Sequence, residues 1–335
     1  MIVPRFNCKI AEHPRPWSSF LESEQGDLYT SAMERRQVTV RVPATTANLG
    51  PGFDCLGIAL ELWNSVRIEV STSPKVRILG QGSFTLSPAV DNLVYRSAQA
   101  LFREAGEDPQ PLSILCTNQI PLARGLGSSA AAIVGGLMAA NELSSQPLTQ
   151  QCLLHLAVSL EGHADNVTPA LLGGCQVVVR DGDSVISDTV PLPPDLTTII
   201  FVPDAPMSTQ EARSILPRTV SREDAVYNLG RVALLVNALS SGHLENLRVA
   251  TQDQLHQPAR ENIFPAMKYV FRSALDAGAL GVFLSGGGSS IMALATSRAM
   301  TIGYEMANAA DKVGVPGDLK IIRPSLQGAH IVPAE

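Results

Sequence analysis

Residues Pro121–Leu137 read PLARGLGSSAAAIVGGL. The stretch holds four glycines, two serines and a run of small apolar residues, and it has no lysine. A strand ending near Ile120, a Gly-Leu-Gly-Ser-Ser turn and a helix beginning near Ala130 would aim backbone N–H groups outward from a helix N-terminus. Such groups carry partial positive charge and hold phosphate without help from side chains. Gly125 and Gly127 permit positive φ and a close backbone approach, and the hydroxyls of Ser128 and Ser129 can reach a phosphate or a Mg2+ ion. Taken alone, the same letters also describe a glycine-rich turn before a small-residue packing helix. The two common nucleotide signatures fail. G-x-x-x-x-G-K-[ST] is absent. A Rossmann fingerprint would need an acid ~20 positions on, and Glu142 lies only 15 positions past Gly127 and precedes a loop.

The rest of the chain sets the context. Its 335 residues allow one large domain or two of ordinary size. Apolar residues make up 45% and charged residues 17%, the latter below a soluble average of roughly 25%. That balance favours a compact, enzyme-like globule. The net charge of −6 is spread without long like-charge blocks, so there is no nucleic-acid footprint and any anion must be held locally. The five cysteines are scattered, with no C-x-x-C pair. They read as reduced, buried thiols of a cytoplasmic protein. No run of 18 apolar residues suggests a membrane span. Residues 1–36 lack an apolar h-region and contain Glu12, Glu22, Glu24 and Asp27, which argues against a secretory signal or transit peptide. They read as a poorly ordered extension with one short helix around Ser31–Arg36.

From Gln37 the texture changes. QVTVRVPATTANLG alternates as a strand running into a loop, and LWNSVRIEV and KVRILGQG read as further strands. NLVYRSAQALFREAG reads as a helix ending at Gly106, and PLSILCTNQIPL as a strand. A helix over LTQQCLLHLAVSLEG starts near Thr149, and a hairpin turns at Asp181–Asp183. PLPPD (Pro191–Asp195) is the clearest linker. Beyond it come a β-branched strand (LTTIIFVPD), helices over REDAVYNLGRVALLVNALSSG and PAMKYVFRSALDAGA, and a strand, glycine loop and strand over GVFLSGGGSSIMALA. A helix from about Ser297 to Val313 and the strand LKIIRPS complete the pattern, which reads as strands packed by helices on one face.

Two more glycine-rich stretches stand out. In RVPATTANLGPGFDCLGIAL, Gly50 and Gly52 flank a proline in a turn, and Asp54 points into whatever the turn encloses or caps it locally. In LSGGGSSIMAL, Gly286, Gly287 and Gly288 permit close backbone approach or form a plain hairpin or bulge. In this order the three stretches resemble the three motifs of the GHMP kinase superfamily, which covers galactokinase, homoserine kinase, mevalonate kinase and phosphomevalonate kinase. Pro121–Ala131 matches the middle motif, P-x-x-x-G-L-G-S-S-A-[AS], throughout. Within the superfamily the likeness is to the homoserine kinase family. It is carried by PATTANLGPGFDCLGIAL, EGHADNVTPALLGG (Glu161–Gly174), MSTQEARSILP (Met207–Pro217) and DQLHQPAR (Asp253–Arg260), and it runs from about Gln37 to the C-terminus.

The resemblance implies an α+β protein of the GHMP kinase fold. A domain like ribosomal protein S5 domain 2 would span residues 37–195 and a ferredoxin-like domain 196–330, with the site in the cleft between them. It implies ATP and Mg2+, and phosphorylation of the hydroxyl of L-homoserine to O-phospho-L-homoserine in threonine biosynthesis. Another small-molecule kinase of the superfamily (mevalonate- or sugar-type) and a non-catalytic ligand sensor of the same fold are the alternatives. ATP would lie on Pro121, Leu122, Ala123, Arg124, Gly125, Leu126, Gly127, Ser128, Ser129, Ala130 and Ala131, with Asn92 at the adenine and Gly286–Gly288 supporting the phosphate loop. Ser129 (or Ser128) and Glu161 would face the metal, although some relatives supply that carboxylate from an earlier helical turn, where this chain has His155. Asn48, Asp54, His163, Asp165, Thr209, Arg213 and Arg260 would form the homoserine pocket. Asp54 would serve the ammonium and the two arginines the carboxylate, since a planar two-pronged donor suits that group. Asp165 is the candidate base, in a family where the position is associated with substrate binding. Read without the family, Asp165 and Asn166 could cap a helix at Val167, His163 could be a core histidine, and the arginines could be solvated. No nucleic-acid or membrane partner is implied. Exposed faces of the C-terminal helices would allow a homodimer without requiring one.

Overall fold

A computed structural model describes residues 37–333; the extension expected over residues 1–36, and its short helix, lie outside them. β1 (Gln37–Asn48) pairs antiparallel with β2 (Gly52–Val70) along nearly its whole length. The sequence suggested a strand running into a loop that holds Asn48, Gly50, Gly52 and Asp54, and a separate strand over LWNSVRIEV. The chain instead stays in the ladder, with shifts in register at Pro43/Ala44 and Ala47/Asn48. Thr45, Thr46 and Ala47 are fully buried, and pairing with Gly57–Ala59 satisfies backbone groups that burial would otherwise orphan.

β3 (Lys75–Gly80), α1 (Leu93–Glu104) and β4 (Leu112–Asn118) follow, with β3 and β4 parallel and β4 antiparallel to β2. α2 (Ser128–Leu143), α3 (Gln150–Glu161) and α4 (Val167–Leu172) lead to the hairpin of β5 (Cys175–Asp181) and β6 (Ser184–Val190). That hairpin turns at Gly182-Asp183, and Thr149 caps α3 by accepting from Cys152 N. α2 explains the small residues of the opening stretch. It is buried nearly all round. A Cβ on Gly136 would lie 2.5 Å from Val94 O, and one on Gly135 2.8 Å from Val66 Cγ2. Side chains there would push α2 off α1 and β2.

The second half contains β7 (Thr197–Pro203), α5 (Thr209–Ser214), α6 (Arg222–Ser241), α7 (Leu247–Ala250), α8 (Gln257–Glu261), α9 (Met267–Asp276), β8 (Gly281–Leu284), β9 (Ile291–Ala295), α10 (Ala299–Lys312), β10 (Gly317–Ile322) and β11 (His330–Val332). β10-β7-β9-β8 form an antiparallel sheet. Counted in chain order this is 4-1-3-2, with helices between the first and second strands and between the third and fourth: the ferredoxin-like arrangement. β7 is almost continuously buried because both faces are covered. Ile199 and Phe201 pack with residues of α9 and α10, while Ile200 and Val202 share a core with the first sheet and α6.

The two halves are interlocked. β11 leaves the second half and pairs with β1, and Leu235, Ala238 and Leu239 of α6 belong to the core that contains β1 and β2. This packing holds the three glycine-rich loops against one another.

Candidate active site

Three turns meet at the junction of the two sheets. The turn between β1 and β2 puts Asn48, Leu49, Gly50 and Asp54 at positive φ. Asn48 Oδ1 accepts from Asp54 N (3.0 Å), and its Nδ2 donates to Gly286 O (2.8 Å). Glycine is required at position 50, where φ is +85° and a Cβ would lie 2.1 Å from Thr251 O.

The turn before α2 is braced in the same way. Gly127, in the left-handed region, precedes the helix and offers no side chain to cap it. The first N–H groups of α2 therefore remain open to an anion. Gly127 packs so closely on Thr45 that a Cβ would lie 2.0 Å from Thr45 Oγ1, which itself donates to Asn166 Oδ1 (2.9 Å). The Arg124 side chain is engaged within the protein. Its guanidinium donates to the carbonyls of Leu122, Pro203 and Asp204, which ties the loop to the end of β7.

The third stretch is a hairpin loop between β8 and β9, and it also contacts the other two turns. Gly286 N donates to Ala47 O (3.0 Å), and Ser290 N to Arg124 O (3.2 Å). Ser285 Oγ bridges Thr46 Oγ1 (2.8 Å) and Gly125 O (2.7 Å). Residues 285–290 thus clamp residues 124–125, through the Ser285 hydroxyl and the Ser290 N–H.

Around this clamp stand the polar side chains. Ser129 Oγ donates to Glu161 Oε2 (2.7 Å) at the end of α3. His163 Nδ1 lies 3.3 Å from Asp165 Oδ1, and Asp165 is buried. Arg213, on α5, makes a two-pronged pair with Asp54 (3.0 and 2.6 Å). Arg260, on α8, is fully buried and donates to Gly286 O (2.9 Å) and Ala212 O (3.2 Å). Both arginines stand by Phe53, their guanidinium carbons 5.5 and 5.7 Å from its ring centre.

Residues 92–174 match the GHMP kinases N terminal domain and residues 234–311 the GHMP kinases C terminal domain. The chain is 45% identical over 293 residues to a homoserine kinase of Moorella thermoacetica, covering 88% of this chain and 99% of that protein. It is 40% identical over 299 residues to one from Crocosphaera subtropica, covering 88% and 97%. The crystal structure of a homoserine kinase from Cytophaga hutchinsonii superposes with a TM-score of 0.82 at 34% identity, covering 91% of this chain and all of that one. The chain belongs to the homoserine kinase family.

Within this homoserine kinase frame the expected residues fall into two groups. Asp54, Arg213, His163, Asp165 and Glu161 form one linked cluster: Arg213 bonds Asp54 and lies within range of the charges of Asp165 and Glu161, and Glu161 within range of those of His163 and Asp165. Asn48, Arg124 and Asn92 have their side chains engaged in building the scaffold. Asn92 caps α1 by accepting from Val94 N (3.0 Å) and donates to Ser87 O (2.8 Å). Asn166, expected as a cap for α4, makes no such bond and instead receives Thr45. Thr209 is exposed at the start of α5, and Ser208 is the cap there. His155 accepts from Val185 N and bonds Gln151, so it belongs to the α3–β6 packing.

Burial pushes the Glu161 carboxyl above its ordinary range, against the opposing pull of the Ser129 hydrogen bond. Burial also acts to lower His163, but the hydrogen bond and charge of Asp165 outweigh it and the net shift is upward. Arg213 is raised by its bond to Asp54. Arg260 is pushed down to about 10 by burial and by the charge of Arg213.

Among the described residues no group of three or more His, Cys, Asp or Glu side chains surrounds a metal site. Mg2+ needs no such cage, since one or two carboxylates plus substrate phosphates suffice. Glu161 and Ser129, hydrogen-bonded beside the open end of α2, fit that requirement.

Sequence reasoning missed Phe53, Ser285, Asp253 and His256. The last two stand in DQLHQPAR, three residues apart. That spacing before a proline-started helix was a legible capping signal. Asp253 accepts from the N–H groups of His256 (2.9 Å) and Gln257 (2.7 Å).

Proposed function

We propose that this homoserine kinase family member transfers the γ-phosphoryl group of ATP to the side-chain hydroxyl of L-homoserine. The product is O-phospho-L-homoserine, a precursor of threonine. One observation supports the reading: Ser129 and Glu161, beside the open N-terminus of α2, lie near Arg213 and Asp165, and Arg213 in turn bonds Asp54.

In such a transfer the homoserine oxygen bonds to the γ-phosphorus while the bond from that phosphorus to the β–γ bridging oxygen breaks. The hydroxyl proton leaves, and ADP departs. The transition state is loose, so positioning and charge neutralisation carry most of the catalysis. The backbone of residues 125–131 holds the triphosphate, and no lysine is required because the N–H groups of α2 supply the positive potential. Mg2+, held by Glu161 and Ser129 together with the phosphates, would neutralise charge on the β- and γ-oxygens.

Homoserine brings an ammonium and a carboxylate, and Asp54 and Arg213 exchange partners to receive them: Asp54 turns to the ammonium and Arg213 to the carboxylate. Arg260, behind Phe53, adds positive potential to the same side. Asp165 takes or orients the hydroxyl hydrogen, with His163 holding its carboxylate in place. A reducing, cytoplasmic location suits the buried thiols of Cys116, Cys152 and Cys175.

The test is ADP release in the presence of homoserine, mevalonate or galactose, with the phosphorylated product identified by mass spectrometry. Turnover with homoserine at a kcat/KM at least about a hundredfold above the others is expected. Preference for mevalonate or galactose, or tight homoserine binding without ATP consumption, would overturn the assignment.

A further inference from the structure

His256 lies outside the phosphate loop, and it touches both the β1–β2 turn and Arg260. It has no exposed surface. Its Nε2 is 2.8 Å from Gly50 O, in the β1–β2 turn, and its Nδ1 is 2.7 Å from Arg260 Nη1. The chemistry of these partners fixes the tautomer. A carbonyl only accepts, so Nε2 carries the hydrogen. A guanidinium only donates, so Nδ1 is bare. The ring also lies tilted on Phe53, with centroids 5.3 Å apart.

We infer that His256 is a positioning residue that works as a neutral two-ended tether, setting the β1–β2 turn and the Arg260 guanidinium at a fixed separation around Phe53. This rests on the reading of Arg260 as part of the homoserine carboxylate side. The tether functions only while Nδ1 is unprotonated, because a proton there would turn an acceptor into a donor facing a cation. The charged groups around the ring are Asp253, 3.6 Å from Nε2, Arg260 and, farther off, Asp54. Asp253 favours a protonated ring but is already engaged by Asn228 Nδ2 (2.7 Å) and by the N–H groups of Leu255, His256 and Gln257. Burial and Arg260 oppose the charge, and burial dominates, holding His256 near 4.

The two ends can be separated by substitution. In His256→Asn the amide oxygen can occupy the place of Nδ1, which keeps the acceptor for Arg260 and drops the Gly50 end. In His256→Gln the amide nitrogen can occupy the place of Nε2, which keeps the Gly50 end and drops the acceptor. Steady-state kinetics of the full chain should show KM for homoserine raised about tenfold or more in His256→Gln, the loss expected for one hydrogen bond from a charged donor. His256→Asn should stay within about threefold, and KM for ATP should be nearly unchanged in both. Nitrogen-15 NMR of the unsubstituted protein should find His256 neutral at pH 6, with its proton on Nε2. Equal homoserine KM values in the two variants, a proton on Nδ1, or an imidazolium at pH 6 would overturn the inference. Arg260→Lys separates the two levels. If it raises the homoserine KM while His256→Gln does not, the tether fails alone. If it leaves that KM unchanged, the reading of Arg260 fails beneath it.

Discussion

Asp54 and Arg213 are 159 residues apart in the chain and form a two-pronged ion pair across the cleft. The pair joins the β1–β2 turn of the first half to α5 of the second, and each side chain is about one-third exposed. A pair this wet adds little to stability, so its value lies in geometry. Arg213→Lys keeps the charge but loses the fork that matches a carboxylate. It should raise the homoserine KM by about tenfold or more, leave the KM for ATP unchanged, and move Tm by no more than a few degrees. Initial-rate kinetics with each substrate varied, together with a melting curve, checks all three.

Glu161 links pH to both activity and stability. Its carboxyl is raised by burial, so the folded state binds this proton more tightly than the unfolded chain does. The stability it contributes is fully present below the ordinary glutamate value and is lost as pH rises through the raised folded value. Above that folded value the carboxylate is charged in both states, and its burial costs stability. Glu161→Gln should therefore raise Tm at pH 7, with the gain shrinking toward pH 4, while kcat falls by about a hundredfold or more as a charged partner for the metal is lost. In the unsubstituted enzyme the acidic limb of kcat should have its midpoint above the ordinary glutamate range. Melting curves at pH 4 and 7 and a pH–rate profile test both halves of the argument.

The clamp between the second and third loops can be probed at Gly125, where φ is +71° and a Cβ would lie 2.0 Å from Ser285 O. Gly125→Ala must strain the backbone and also push the β8–β9 loop away. Gly162→Ala is the control, since its φ is +93° but nothing lies within 4 Å of the added carbon. Both substitutions carry the left-handed penalty, roughly 1–2 kcal/mol. Only Gly125→Ala should also weaken ATP binding, by about tenfold or more, as measured by titration with a non-hydrolysable analogue.

What the sequence revealed and what it hid follow from range. The three glycine stretches, the Thr149 cap and the turn at Gly182-Asp183 are local devices, and local chemistry is written in adjacent letters. α5 was also within reach: Ser208 and Glu211 stand three apart, and Ser208 Oγ accepts from Glu211 N (3.1 Å), the spacing of a capping box. β11 was out of reach, because three residues carry no periodicity and its pairing with Thr39–Arg41 is decided some 290 residues away. The pairing of Asp54 with Arg213 was equally hidden. Both residues could be placed in a pocket by family likeness, but their contact depends on how α5 is set beside the β1–β2 turn. Asn92 and Arg124 show the converse. Position within a motif marked them as ligand contacts, while their own side chains are engaged by Val94 N and Ser87 O, and by the carbonyls of Leu122 and Pro203.

In the proposed reaction Asp165 would take or orient the hydroxyl proton. It is buried beside His163, and its main-chain carbonyl is so close to Gly57 that a Cβ there would lie 1.9 Å away. His163 thus flanks the carboxylate, and the close packing on Gly57 fixes the main chain that carries it. Removing an obligatory general base costs about 10²–10⁴ in rate, carried in kcat. A loose transition state leaves the nucleophile's proton in place until late, so an orienting carboxylate should cost less and divide its effect between kcat and KM. We expect the second pattern: Asp165→Asn should lower kcat/KM by about 10–100-fold, with the homoserine KM rising as kcat falls. The same substitution removes the Asp165 charge that helps to raise His163, so the His163 titration should move to lower pH in the variant, visible by NMR whatever the rate. A kcat loss near the upper limit with KM unchanged would make Asp165 an obligatory base. A kcat/KM equal to that of the unsubstituted enzyme would remove it from the site.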